Sequence, residues 1–345
     1  MAHDAFAALL PLGWDDGWAA ALAQVGAAAR PARVLQHHGA GLVLAFDDGP
    51  RTVMFTVRLD PEPTVGDWVA VVDDEVVTVL PRRSLLRRRA TGGGEQQLAA
   101  NVDRLLLVCG LDRPVKDGRI QRGTAIAHDA GAEPVVVLTK AAGNDAVDPE
   151  EAAREVRAGN PGVPVLITSV REGIGIDELQ RLITGRSVAL LGESGAGKSS
   201  IVNALLGTEV ALTGEVREGD SKGRHTTTTR ELHLLADGGV LIDSPGIREV
   251  GLVTEAEAVE ETFPEIAEVA ETCRFSDCSH EGEPGCAITA ALDAGEIDPV
   301  RFERWKAYRA EAEAAQILAN PVEARKAGKR FAKMAKEAQR RKGRR

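Results

Sequence analysis

Residues 187–200 read SVALLGESGAGKSS. The first five form a short, almost wholly apolar run, the mark of a strand buried on both faces of a parallel sheet. The following stretch, KSSIVNALLG at 198–207, has helical composition closed by Gly207. Between them Gly192, Gly197, Lys198 and Ser199 fill the pattern G-x-x-x-x-G-K-[ST]. That pattern is common by itself, and it becomes a phosphate-binding loop when a strand feeds it and a helix leaves it. Glycines there let backbone amides turn inward on an anion at a helix N-terminus. The whole run Gly192, Glu193, Ser194, Gly195, Ala196, Gly197, Lys198, Ser199 and Ser200 is therefore assigned to nucleotide. Lys198 is placed to reach the β- and γ-phosphates as a catalytic group, and Ser199 to hold Mg²⁺.

Downstream, VLIDSPG at 240–246 puts Asp243 at the end of an apolar strand. A carboxylate there can complete the Mg²⁺ shell, and the Gly246 amide can face a γ-phosphate. Between the two motifs lies SKGRHTTTTRE at 221–231, whose four threonines have little helical or core logic. A loop that orders when a threonine meets Mg²⁺ and a γ-phosphate accounts for them. Thr227 and Thr228 are assigned to nucleotide, with Thr228 on the magnesium.

These features describe a GTPase-like site, yet nothing after residue 246 reads a base. The base-reading elements lie upstream. VVVLTKAAGND at 135–145 is an apolar strand ending in Thr139 and Lys140, similar to the guanine-reading N/T-K-x-D motif. ITSVREGIGIDEL at 167–179 supplies Ser169 in the supporting loop. The order is base-reading strand, support loop, phosphate loop, threonine loop, Asp-x-x-Gly: a circular permutation, which leaves a site intact when the old termini lie close together.

Two positions depart from the pattern. Ala142 stands where an aspartate would accept hydrogen bonds from the guanine N1 and N2 donors, and Asn144 and Asp145 lie just beyond. Ile247 follows Gly246 where many GTPases carry a glutamine that orients the attacking water. His225, or a group brought by a partner, is the candidate for that task.

Cys273, Cys278, His280 and Cys286 gather a complete tetrahedral zinc set within fourteen residues, with no position left open for catalysis. One structural Zn²⁺ per chain is expected, knitting a small helical module. His3, His37, His38, His128 and His233 read as surface or incidental. Four cysteines, three of them in this cluster, are too few for a secreted disulfide scaffold.

The chain has 345 residues and a formal net charge of −10. The average hides an asymmetry, because residues 321–345 hold eleven Lys/Arg against two Glu. A second basic knot, RRSLLRRR, occupies 82–89. Both are candidates for contact with a polyanion. No apolar stretch approaches the roughly 20 residues that span a bilayer. The first twenty residues are acidic where a signal peptide is basic. A soluble, cytoplasmic monomer without membrane contact is expected.

The expected fold is α/β. Residues 1–30 read as an N-terminal helical extension and 31–90 as an OB-like β-barrel of about five short strands separated by turn signals. Residues 91–255 alternate apolar runs with helical patterns, the sign of a parallel sheet with crossover helices, here the permuted P-loop GTPase domain. Residues 256–345 form a helical zinc domain with the basic tail. RRSLLRRRATGGGEQQ at 82–97 reads as a connector.

With VGDWV, LPRRSLLRR, EQQLAANVD, GESGAGKSS, GRHTTTT, DSPG and the Cys/His cluster in this order, the sequence from about residue 31 onward closely resembles the RsgA/YjeQ family of ribosome-small-subunit-dependent GTPases. The resemblance implies an OB domain, a GTPase domain and a zinc domain that together bind the 30S subunit and its 16S rRNA. It implies GTP hydrolysis, with GDP as product, late in 30S maturation and stimulated by the ribosome. The family shares the hydrophobic residue after Asp-x-x-Gly, so slow intrinsic turnover is implied too. Two competing readings remain at this level: a P-loop NTPase with relaxed base choice, because of Ala142, and an RNA- or ribosome-binding module with vestigial nucleotide turnover.

Overall fold

A computed structural model describes residues 3–38, 41–54, 59–89, 95–142, 147–207, 231–243 and 256–319. The chain divides into two compact units, residues 1–88 with 96–251, and 89–95 with 252–345.

Strands are numbered in chain order. In the first unit β8 (Arg104–Gly110), β9 (Glu133–Thr139), β10 (Val165–Ile167), β11 (Ser187–Gly192) and β13 (Val240–Asp243) run parallel in the order β10-β9-β8-β11-β13. Their connections are α2 (Asp117–Ala130), α3 (Pro149–Gly159), α4 (Ile176–Ile183) and, after β11, α5 (Lys198–Leu206). Val188, Leu190, Leu106, Val135, Val137, Ile201 and Leu241 pack one core, each worth about 1.5–3 kcal/mol of burial. From β8 the chain steps outward to β9 and β10, then returns to β11 on the other side of β8. The crevice between the carboxyl ends of β8 and β11 is therefore the topological switch point, where ligands bind in open α/β sheets.

The sheet does not stop at the parallel strands. β12 (Glu231–Leu234) runs antiparallel to β13, and β1 (Arg30–His38) pairs with β12 through Gln36 and Glu231. β1 also pairs with β2 (Gly41–Phe46) and β4 (Trp68–Val72), while β2 pairs β3 (Gly49–Met54) and β4 pairs β5 (Glu75–Val79). The result is a five-stranded sheet of order β3-β2-β1-β4-β5, with register shifts at Val34/Gln36 and Ala70/Val71 of the kind that curl strands. Its core holds Val34, Leu42, Leu44, Phe46, Val53 and Val69. Phe46 and Trp68 are buried, so neither offers a face on which a base could stack. Phe55, the third aromatic of residues 31–90, lies outside the described residues.

A 3₁₀ segment His3–Leu12 and helix α1 (Asp16–Val25) lead into β1. The Asp15 carboxylate caps α1 by accepting from the Gly17 and Trp18 amides at 2.9 and 3.1 Å. Leu9, Trp14, Trp18 and Leu22 pack with Trp68 and Ala70 of β4 and with Leu80 just beyond β5.

In the basic knot at 82–89, a candidate for polyanion contact, three guanidinia have carboxylate partners within the fold. Arg82 reaches the fully buried Asp67 carboxylate at 2.7 Å, Arg83 pairs with Asp15 at 2.7 Å, and Arg87 lies 3.4 Å from the buried Asp129. Arg82 and Arg87 neutralise internal carboxylates, because a buried charge must be paired, whereas the Arg83–Asp15 pair lies at the surface. The segment read as a connector is instead a two-stranded ribbon of β6 (Leu85–Arg89) and β7 (Glu95–Ala100) that buries Leu86 and Leu98. The basic tail lies outside the described residues.

In the second unit α6 (Ala256–Thr262), α7 (Pro264–Glu271), α8 (Ala287–Asp293) and α9 (Pro299–Ala319) enclose Val259, Phe263, Ile266, Ile288, Phe302 and Trp305. Arg301 of α9 pairs with Glu265 and donates to Thr262 O at 3.1 Å, with its guanidinium 4.6 Å from the Phe263 ring centre. Among the described residues no helix is long and apolar enough to cross a membrane.

Candidate functional site

β11 delivers the phosphate loop to the switch point. A side chain on Gly192 would stand 2.3 Å from Val108 O on β8, so the close approach of the two strands requires glycine there. Gly197 begins α5 at φ +96°, a left-handed conformation suited to glycine, with Thr139 Oγ1 about 3.1 Å from where a Cβ would lie. The Lys198 ammonium donates to the carbonyls of Gly192 and Glu193, arching over the loop it belongs to. Ser199 and Ser200, both half-buried, occupy the first turn of α5. Asp243, also half-buried, ends β13 beside β11, so the carboxylate and the phosphate loop share one edge of the sheet. Four sequence candidates, His225, Thr227, Thr228 and Gly246, lie outside the described residues, as do Ile247, Asn144 and Asp145.

The upstream motif reaches the same place. Thr139 at the end of β9 is buried, and its hydroxyl donates to Ala196 O in the phosphate loop. This threonine braces the loop from β9. Lys140 follows at φ +61°, and its ammonium meets Asp112 Oδ2 at 2.9 Å. Ser169 is buried, its backbone bonded both ways to Ile174 at 2.9 and 3.0 Å, closing the support loop. Thr139, Lys140, Ala142, Ser169 and Asp112 line a cavity of about 390 Å³. The Ala142 side chain brings no acceptor to it.

A second cavity of about 370 Å³ lies between β8, α2 and the phosphate loop, lined by Cys109, Arg113, Arg119, Ile120, Gly192 and Glu193 among others. Burial pushes the Cys109 thiol up to about 11, with the nearby Glu193 carboxylate adding to the effect. Glu193 is ion-paired with Arg119, and Arg113 stands 3.9 Å from it. Asp112, Arg113 and Arg119 belong to no motif. The signal that could have found them is position, since they follow the carboxyl end of a strand beside the phosphate loop.

The second unit holds the metal centre. The donor atoms of Cys273, Cys278, His280 and Cys286 all lie within 4.8 Å of one another. His280 Nδ1 stands 3.6 Å from Cys273 Sγ and 3.7 Å from Cys286 Sγ. Tetrahedral bonds of about 2.3 Å to sulfur and about 2.05 Å to nitrogen put such atoms about 3.6 Å apart, so the residues fit a tetrahedral metal. Amides support the thiolates: Ala287 N donates to Cys273 Sγ at 3.3 Å, and Thr289 N to Cys286 Sγ at 3.4 Å at the start of α8. Glu283 ties the ligand loop by accepting from the amides of Ser279 at 2.9 Å and Glu281 at 2.8 Å. Its hydrogen bonds, led by the Ser279 side chain, hold its carboxyl down at about 2.

Comparison with known proteins agrees with this geometry. The family model described as RsgA GTPase matches residues 79–253. A "Small ribosomal subunit biogenesis GTPase RsgA" of Streptomyces coelicolor is 44% identical over 88% of this chain and 86% of its own length. The chain belongs to the RsgA GTPase family. A protein of the same description from Opitutus terrae is 42% identical over 94% of this chain and 95% of its own. Among solved structures, YjeQ from Thermotoga maritima superposes with a TM-score of 0.62 at 27% identity, covering 82% of this chain and 98% of that one. YloQ, a circularly permuted GTPase, shares the fold with a TM-score of 0.57 at 21% identity, over 83% and 96% of the two chains. A second model, ABC transporter, matches residues 180–336, a span that takes in the widely shared phosphate loop and omits β8, β9 and β10. The fold is thus that of a circularly permuted P-loop GTPase, flanked by a β-sheet region and a Cys/His metal cluster, as RsgA-family membership implies.

Proposed function

We propose that this chain hydrolyses GTP in the course of small-ribosomal-subunit maturation, binding the 30S subunit and its 16S rRNA. The observation that carries the reading is the convergence of β9, β11 and β13, in permuted order, on one switch-point crevice with Lys198 at its centre. The names of the family's curated members support the ribosomal assignment.

In this reading the loop amides of 193–199 bind the polyphosphate, and Lys198 leaves its carbonyl partners for the β- and γ-phosphates. Ser199, Thr228 and Asp243 would hold Mg²⁺, which neutralises charge on the phosphate oxygens during transfer. The Gly246 amide would face the γ-phosphate, and His225 or a ribosomal group would position the water in place of the apolar Ile247. Lys140 lays its aliphatic stem along the base, while Ser169 closes the support loop. GDP leaves as product. The metal of the second unit is zinc and structural, since four protein donors leave no open position. Residues 1–30, 31–90, 91–255 and 256–345 then divide into extension, OB-like barrel, GTPase and zinc domain.

The deciding experiment measures nucleotide hydrolysis with and without purified 30S subunits, with GTP and ATP in parallel. GTP turnover that rises with 30S supports the reading. Turnover indifferent to 30S, or absent throughout, refutes it in favour of a binding module.

One observation favours a second reading. Ala142 leaves the base-side cavity without the usual acceptor, so ITP and ATP compete with GTP more closely than in a site that has one. Equal affinity for GTP and ATP would replace guanine specificity with relaxed base choice.

A further inference from the structure

The phosphate loop carries a carboxylate of its own. Glu193 directly follows Gly192, in a loop whose amides and lysine are set to receive a polyanion. An uncompensated carboxylate in that position would repel the ligand. It is compensated from the neighbouring elements. Arg119 of α2 meets Glu193 Oε2 through Nη1, and Arg113 Nη1 stands 3.9 Å from the same oxygen. Arg113 also places Nε 3.7 Å from Asp112 Oδ1, and Asp112 Oδ2 accepts from Lys140 at 2.9 Å. Charges thus alternate in file, Arg119, Glu193, Arg113, Asp112, Lys140, from α2 past the phosphate loop to the base-side lysine.

We propose that Arg119 and Arg113 are positioning residues for nucleotide binding that act through Glu193, holding its carboxylate on the α2 side of the phosphate loop and cancelling its charge. The inference rests on the triphosphate reading of the site and deepens it, by assigning what lets a loop with a built-in carboxylate accept a polyphosphate. The pairs are partly exposed, with side chains 45% and 47% exposed for Arg119 and Arg113 and 39% for Glu193, so they add little to stability. A variant without one arginine keeps its fold and changes the potential at the loop. The cost of exposing Glu193 then scales with the charge of the ligand, so it is largest for GTP, smaller for GDP and least for GMP.

The test is equilibrium binding of GTP, GDP and GMP in Mg²⁺ at low salt, on the full chain, with thermal unfolding as a control on folding. R119Q is expected to weaken GTP about tenfold, the scale of one charge acting through a few ångströms of partly wet protein. The loss is expected to shrink down the series to GMP and as salt screens it. R113Q changes affinity in the same direction by less. Adding Glu193→Gln to Arg119→Gln restores GTP affinity to within about twofold of wild type, because the charge that needed cancelling is gone. An unchanged R119Q overturns the proposal. So does a double variant as weak as R119Q, which would mean that the arginine touches phosphate itself. Wild-type protein that folds and binds no GTP overturns the triphosphate reading together with the proposal, whereas wild-type binding without rescue overturns the proposal alone.

Discussion

Arg33 Nη2 of β1 lies 2.8 Å from Ser187 Oγ, the first residue of the strand that carries the phosphate loop. The same guanidinium donates to Leu12 O and to Gly66 O, the latter at 3.3 Å, and its centre lies 5.4 Å from the Trp68 ring centre. One buried side chain thereby ties the N-terminal segment, the five-stranded sheet and β11. Burial pushes its pKa down to about 10, against the pull of Asp103 and Asp67. It remains charged at neutral pH, and its hydrogen bonds offset the cost of burying it.

Arg33→Met removes the charge and orphans several buried acceptors, each costing about 1–3 kcal/mol. A loss of about 3 kcal/mol is expected, read as a lower urea midpoint with an unchanged slope. Ser187→Ala, which removes one partner, is expected to cost about 1 kcal/mol. An Arg33→Met protein with the wild-type midpoint would show that these bonds contribute nothing net.

The metal centre is expected to govern the second unit. Four donors at tetrahedral spacing couple metal binding to folding. Elemental analysis is expected to find one zinc per chain. Cys278→Ser, or a strong chelator, is expected to release it and reduce helical circular dichroism, while the first unit keeps its own transition. A chelated protein with full helicity would refute a structural role.

Cys109 gives a chemical contrast with that cluster. Its thiol pKa of about 11 stands above the ordinary 9.0, chiefly through burial. Two units lower the thiolate fraction about a hundredfold at pH 8, and alkylation follows the thiolate. Chelation is expected to unfold the second unit and expose its cysteines, so iodoacetamide at pH 8 then modifies Cys273, Cys278 and Cys286 and spares the enclosed Cys109. Because the folded pKa is the higher one, the stability linked to this group is complete below pH 9 and is lost as pH rises through 11. Equal labelling of all four cysteines at pH 8 would contradict this.

What could be read from the sequence follows how local each feature is. The phosphate loop spans a strand, a turn and a helix consecutive in the chain, and four metal ligands fall within fourteen residues, so both were legible. The permuted order was legible because each motif sits at the end of its own apolar run. The ion pairs of Arg82, Arg83 and Arg87 were not legible, because their partners Asp67, Asp15 and Asp129 are 15, 68 and 42 residues away. The same distance hid Arg119 and Arg113, which the fold alone brings to Glu193. The β6–β7 ribbon read as a connector because glycines and arginines outweigh its few buried leucines in composition. In each case the deciding partner was supplied by tertiary structure.

The base-side cavity makes the last prediction. Lys140 is held at its mouth by Asp112, and Ala142 lines it without an acceptor. A site that hydrogen-bonds its ligand discriminates far better than one that only encloses it. Ala142→Asp is therefore expected to tighten GTP binding relative to ATP and ITP. A charge-assisted pair is worth about 1.5–3 kcal/mol, so the GTP-to-ATP affinity ratio should rise by about tenfold or more. ITP, which lacks the 2-amino donor but keeps N1–H, should fall between them. The measurement is competition of each triphosphate against a fluorescent GDP in wild type and variant. An unchanged ratio would refute the assignment of position 142 to base discrimination.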